Sequence, residues 1–369
     1  MAEEIDFLTI ESADSDLIIR LDDAQREQPG DSTYRDHKAP ELECGKHFYP
    51  LRVSNRAPVI SQLPPTALSL FQHFIPISLI EEWVRYTNQG SRAGPVGPDL
   101  PHARRQNWTD TTVEEVYIWI GTLIYMGIHP EKRYQDYWKT PSPGELRPSH
   151  PVSQFMPYDR FQLLQRQLRI FKPEDETDTI PRPFSIVDNW SKIVQEASLR
   201  FYQPGTNITV DECIVGFTGR SRQTVTIPTK PTPTGFKIWV IGQRGYFMHW
   251  LWHLPKVTYD SLTLKRGKKR KFEEELPALN PTQSVVVDLV NQLPNATYHV
   301  ALDNLFTSAP LLRVLRKRDI AATGTCRTNC GIYAKFVKAK ADDSKGICWP
   351  HGTVHSAPTP DGEVRDIRS

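Results

Sequence analysis

The sequence predicts an α+β to α/β chain, with an N-terminal helical domain followed by a mixed β-sheet and flanking helices. Three observations carry this. Apolar residues recur three or four apart as far as residue 203, then two apart from about residue 206. Beyond that change the elements read strand, strand, strand, helix, strand, helix, strand. Two of those strands end in acids: Asp211 interrupts the β-branched run from Asn207 to Val215, and Asp303 closes Tyr298-His299-Val300-Ala301-Leu302, 92 residues later.

The first 50 residues form an acidic arm. Residues 1–43 carry 13 Asp/Glu against 4 Lys/Arg, a balance of −9, which leaves +11 on the rest of a chain whose net charge is +2. Rich in Asp, Glu and Ser and without periodicity, this arm is expected to be disordered. A basic globular part behind an acidic arm fits a nucleic-acid binder and equally a solvated mixed surface. The helical domain is placed at 51–205. Phe71, Phe74, Ile75, Leu79, Ile80, Trp83 and Val84 share a helical face. A second helix follows Asp110, with Thr111 or Thr112 as its cap and Glu114 and Glu115 in its first turn, where the helix dipole favours acids. Phe161, Leu164, Leu168 and Phe171 mark a third, and Ile186, Trp190, Ile193, Ala197 and Phe201 a fourth.

The sheet domain is placed at 206–330. Its strands are read at 207–217, at 224–227, and at 236–241 continuing past a turn at Arg244-Gly245 to His253. A helix over 283–293 leads to the Asp303 strand, a helix from Ser308 and Pro310 follows, and Ala321 to Thr325 is the last strand. This is the core order of a ribonuclease H-like fold, with the strands of Asp211 and Asp303 side by side. Residues 331–369 are expected to be poorly structured, with no helix that could bring a further carboxylate. Trp239, Trp250 and Trp252 are read as sheet-face or core residues rather than base-stacking platforms.

No run approaches the roughly 18 apolar residues of a membrane span, and the N-terminus lacks the basic start of a signal peptide, so no membrane partner is expected. Five scattered cysteines argue against a disulfide framework, and Cys326 and Cys330 have no second Cys/His pair nearby to complete a zinc site. Lys265 to Lys271 reads either as a nuclear localisation signal or as a solvated basic loop.

An aspartate at a strand end is often only a turn former. Two on neighbouring strand ends can also share divalent ions, the arrangement that phosphodiester chemistry uses. The wider motifs favour the second reading. Thr209-Val210-Asp211-Glu212, Gly216-Phe217-Thr218-Gly219-Arg220, Ile227-Pro228-Thr229-Lys230-Pro231 and Gly235-Phe236-Lys237-Ile238-Trp239 are followed by Asp303-Asn304-Leu305-Phe306-Thr307-Ser308 and Thr323-Gly324-Thr325-Cys326-Arg327-Thr328-Asn329. In that order they resemble the piggyBac-type DNA transposases. Phe71 to Asn88, Glu114 to Trp138, and Asp159-Arg160-Phe161 through Phe171 resemble the family's helical segments, so the likeness runs from about 63 to 335.

The resemblance implies a catalytic and metal-binding role for Asp211 and Asp303 as the first two members of an aspartate triad, with Mg²⁺ or Mn²⁺ as cofactor. It also implies DNA as partner, a homodimer, a nuclear location, and a helical domain that dimerises and binds DNA. Arg220, Arg222, Lys230 and Lys237 flank the acidic strand and are read as phosphate contacts, or as charges that keep the surface soluble. The family's third aspartate lies in a Gly-Gly-Val-Asp-like motif that these 369 residues do not contain. Asp342, Asp343, Asp361 and Asp366 stand outside any such setting. The expectation is therefore an incomplete ribonuclease H-like core, cut short inside the insertion that precedes that motif, with weak or absent DNA cleavage and strand transfer. The competing expectation is a non-catalytic DNA-binding or chromatin-associated protein.

Overall fold

A computed structural model describes residues 44–92, 108–141, 144, 148–172, 182–254, 278–346 and 353–368. Most of the acidic arm and the Lys265 to Lys271 run lie outside the described residues. The chain forms two compact units, Ile60–Phe201 and a second that joins the residues up to Val59 to those from Tyr202 onward.

The first unit is helical: α1 (Ala67–Phe74), α2 (Ile77–Arg92), α3 (Val113–Ile128), α4 (Tyr158–Gln167) and α5 (Arg182–Phe201). The single apolar face read over 71–84 is split between α1 and α2, since Pro76 cannot donate the amide that a continuous helix needs. Thr66 and Ser69 form a capping box on α1, and the Thr112 hydroxyl accepts from the Glu115 amide to start α3. Ile75, Leu79, Ile80 and Trp83 pack with Val116 and Ile120 in one cluster. Met126, Tyr137, Val152, Met156, Phe161 and Leu164 form a second. Full burial of a side chain such as Ile80 or Phe161 contributes about 2 kcal/mol. Arg160 of α4 grips Glu115 of α3 in a bidentate pair with both N···O distances at 2.6 Å.

The second unit is built on a six-stranded sheet: β1 (Asn207–Gly216), β2 (Thr224–Thr226), β3 (Thr234–Gln243), β4 (Tyr246–Trp252), β5 (His299–Leu302) and β6 (Ala321–Gly324). The order is β2-β3-β1-β5-β6, with β4 also paired to β3. β1 is antiparallel to β3 and parallel to β5, which is parallel to β6. This is the ribonuclease H-like order. Arg244 and Gly245, at φ 52° and 79°, make the two-residue hairpin between β3 and β4. At Gly235 a side chain is excluded, because a Cβ would lie 2.1 Å from the Val215 carbonyl oxygen. Helix α6 (Pro281–Asn291) is capped by an Asn280/Gln283 box and packs on β3 and β4, burying Val285, Val286, Val287, Leu289 and Val290. Helix α7 (Ala309–Arg316), capped by Ser308, packs on β6. Trp239 is 1% exposed and meets Phe306 edge-on, a core residue as its strand position predicts.

Two segments differ from expectation. Residues 54–56, assigned by sequence to the helical domain, are held by the sheet unit. The Arg56 amide donates to Thr206 Oγ1 at 2.7 Å, its guanidinium donates to the Thr297 carbonyl at 2.7 Å, and Thr206 Oγ1 donates to the Ser54 carbonyl at 2.6 Å. Residues 331–369, expected to be poorly structured and without a helix, contain α8 (Ala334–Asp343) and the antiparallel pair β7 (His355–Pro358) and β8 (Arg365–Arg368). The hairpin's anchors are non-local and so invisible to periodicity: Arg313 of α7 bonds Asp361 at 2.6 Å, and the Tyr49 amide donates to the Gly362 carbonyl at 3.0 Å.

Candidate metal centre

Ile208 and Val210 are buried while Asn207, Thr209 and Asp211 face outward, the alternation of a strand with one face on the core. The parallel register pairs Thr209 with Ala301, so two residues further on Asp211 stands beside Asp303 on the same face. A turn then ends β5. The Leu305 amide donates to Asp303 Oδ1 at 2.9 Å, and the Thr307 hydroxyl donates to the Asp303 carbonyl at 2.6 Å. Thr307 is 2% exposed and has no spare room, since a Cβ on Gly324 would lie 2.1 Å from its Oγ1. Asp211 Oδ1 accepts from the Glu212 amide at 2.7 Å.

A third carboxylate joins them. One oxygen each of Asp211, Glu212 and Asp303 lie within 4.8 Å of one another. Strict strand alternation sends Glu212 to the face opposite Asp211, so the strand pattern alone assigns it no part in the site. The regular alternation of burial ends at Asp211. Glu212 Oε1 takes an ion pair from Lys230 Nζ at 3.3 Å, its side chain is 9% exposed, and its Oε2 is buried with no hydrogen-bond partner. The signal that could have found it was a second acid directly after the first, in a stretch otherwise β-branched and apolar.

Burial, with neighbouring negative charge adding to it, raises the proton affinity of the two aspartates. Burial pushes the Asp303 carboxyl above its ordinary value, and the charges of Glu212 and Asp211 push the same way against the Leu305 amide. Burial likewise raises Asp211, with Glu212 adding to it and its amide, Lys230 and Lys237 opposing. At 4.8 Å and an effective dielectric constant of about 20, each pair of charges repels by on the order of 3 kcal/mol. A bound divalent cation reverses that sign. Three carboxylates, one with a buried oxygen lacking a partner, are a hard all-oxygen donor set suited to Mg²⁺, Mn²⁺ or Ca²⁺. Bound there, such an ion would polarise a phosphoryl oxygen or activate a water.

The four basic residues fare differently. Arg220 and Arg222 are exposed. Lys230 is occupied by Glu212, and Lys237 is 8% exposed with its ammonium 4.2 Å from the Trp239 ring centre, buried rather than lying on the phosphate-contacting surface that the sequence suggested. Cys326 and Cys330 belong to no metal-ligating cluster among the described residues. No helix among the described residues is long and apolar enough to cross a membrane.

A ribonuclease H-like sheet in which neighbouring parallel strands bring aspartates together defines the class: the acidic fold on which DNA transposases carry their carboxylates. The family model described as Transposase IS4 matches residues 66–348. The chain belongs to this transposase family, and is of the piggyBac, transposable element-derived type. It is 28% identical over 225 residues to the human PiggyBac transposable element-derived protein 2, covering 58% of this chain and 34% of that protein. The fold is similar to the cryo-EM structure of the piggyBac transposase synaptic complex with hairpin DNA, at a TM-score of 0.56 and 24% identity, over 80% of this chain and 58% of that one. The chain thus spans about a third of the curated relative's length.

Proposed function

We propose that this transposase-derived chain binds DNA and holds a divalent cation at Asp211 and Asp303, with weak phosphodiester cleavage of its own. The observation that carries the reading is the parallel β1–β5 register, which places two acids 92 residues apart in sequence beside each other on one exposed face. The solved relative is a complex with hairpin DNA, which supports DNA as the partner. The exposed Arg220 and Arg222 supply phosphate contacts. In-line displacement at phosphorus is served best by two fixed ions, whereas the described carboxylates gather at one point, hence the weak activity. A nuclear location and self-association on DNA belong to the same reading.

The test is a mobility-shift titration on hairpin DNA between 50 and 200 mM salt, beside a Mg²⁺- and Mn²⁺-dependent nicking assay. Binding is expected to fall steeply with salt and to survive Asp211→Ala. Absence of salt-dependent binding overturns the DNA reading. Robust cutting abolished by Asp211→Ala overturns the assignment of weak catalysis.

A further inference from the structure

We propose that Glu212 is a ligand of the cation, the third carboxylate of the site this chain builds, and that Lys230 occupies its place in the metal-free protein. This rests on the metal reading of Asp211 and Asp303 and extends it to a residue outside the family's aspartate triad.

Three observations carry it. The Glu212 side chain is more than nine-tenths buried, yet its Oε2 has no hydrogen-bond partner, an expensive state for a carboxylate oxygen. A ligand atom of Glu212 lies within 4.8 Å of one on each aspartate. Octahedral Mg²⁺ or Mn²⁺, at about 2.1 Å from each oxygen, sets opposite ligands about 4.2 Å and adjacent ligands about 3.0 Å apart, so closing the three oxygens on one ion asks each to move by up to about 1 Å, within reach of side-chain rotation. The ion pair to Lys230 is long, at 3.3 Å, and Lys230 is itself about one-third exposed, so the ammonium neutralises Glu212 without saturating it. A metal ion supplies two charges and direct coordination in its stead. Lys230 comes from the loop between β2 and β3, and release from Glu212 frees its ammonium for solvent or a phosphate.

The experiment is a Mn²⁺ titration of the full chain followed by electron paramagnetic resonance of free and bound ion, without DNA or turnover. Wild type is expected to show one site that Asp211→Asn removes. Glu212→Gln is expected to weaken that site at least about tenfold. Lys230→Met, which leaves all three carboxylates in place, is expected to tighten it about fivefold, the worth of a partly exposed ion pair. If Asp211→Asn removes the site while Glu212→Gln leaves its affinity unchanged, the role of Glu212 is refuted and the aspartate reading stands. If wild type binds no Mn²⁺, the metal reading itself fails. Should Glu212→Gln not fold, the Lys230→Met titration still decides, since unchanged or weaker binding there refutes the competition.

Discussion

The pair between Glu115 and Arg160 is the contact most exposed to a quantitative test, because it joins α3 to α4 through charges removed from water. The Arg160 and Glu115 side chains are only 15% and 25% exposed. Thr111 Oγ1 adds a third bond to Glu115 Oε2 at 2.7 Å, and the guanidinium stacks 4.8 Å from the Trp108 ring centre. Replacing Glu115 by Ala strands a mostly buried guanidinium. Breaking a fully buried pair costs roughly 3–5 kcal/mol, and the residual exposure lowers this to about 3 kcal/mol. For a unit of this size that corresponds to about 6–12 °C in Tm. Calorimetry of Glu115→Ala, Arg160→Ala and the double variant is expected to give a coupling of about 2 kcal/mol. A single variant within about 0.5 kcal/mol of wild type, the range of neutral surface changes, with no coupling, would refute the reasoning. The pH dependence has a definite sign. Burial pushes the Glu115 carboxyl up, but the bonds from Arg160 and Thr111 outweigh it and the net shift is downward from 4.5. The contribution is therefore complete above pH 4.5 and lost as pH falls below it.

Two further outcomes are expected. Burial holds the His249 and His253 imidazoles down at about 4, from 6.5, with Lys237 adding to the effect on His253. The unfolded chain thus takes up protons that the fold excludes, and stability complete above pH 6.5 declines as pH falls towards 4, by on the order of 3 kcal/mol per histidine; urea midpoints from pH 7 to 4 should fall less in a His249→Gln/His253→Gln variant, and an identical slope would refute this. Thr307→Val removes the hydroxyl that holds the Asp303 carbonyl at 2.6 Å and should cost about 1 kcal/mol in chemical denaturation, with Thr307→Ser near wild type; equal losses in both variants would point to packing instead.

Much of this protein is legible locally. Periodicity with a cap at Thr111 or Thr112 places the start of α3, apolar spacing over 283–293 places α6 to within two residues at each end, and the turn at Arg244-Gly245 divides β3 from β4, because each signal lies within a few residues of the element it specifies. The Asp211 and Asp303 pairing is legible too, since the order of strands and helices leaves few ways to arrange a ribonuclease H-like sheet. Tertiary structure alone decided the rest. Alternation sends Glu212 away from Asp211, and only the packed site, with Lys230 on one oxygen and nothing on the other, returns it to the acidic cluster. Lys237 and Lys230 look alike in sequence as basic residues beside an acidic strand. One is buried on Trp239 and the other is bound to Glu212, because a side chain's surroundings depend on which distant strands and loops pack over it.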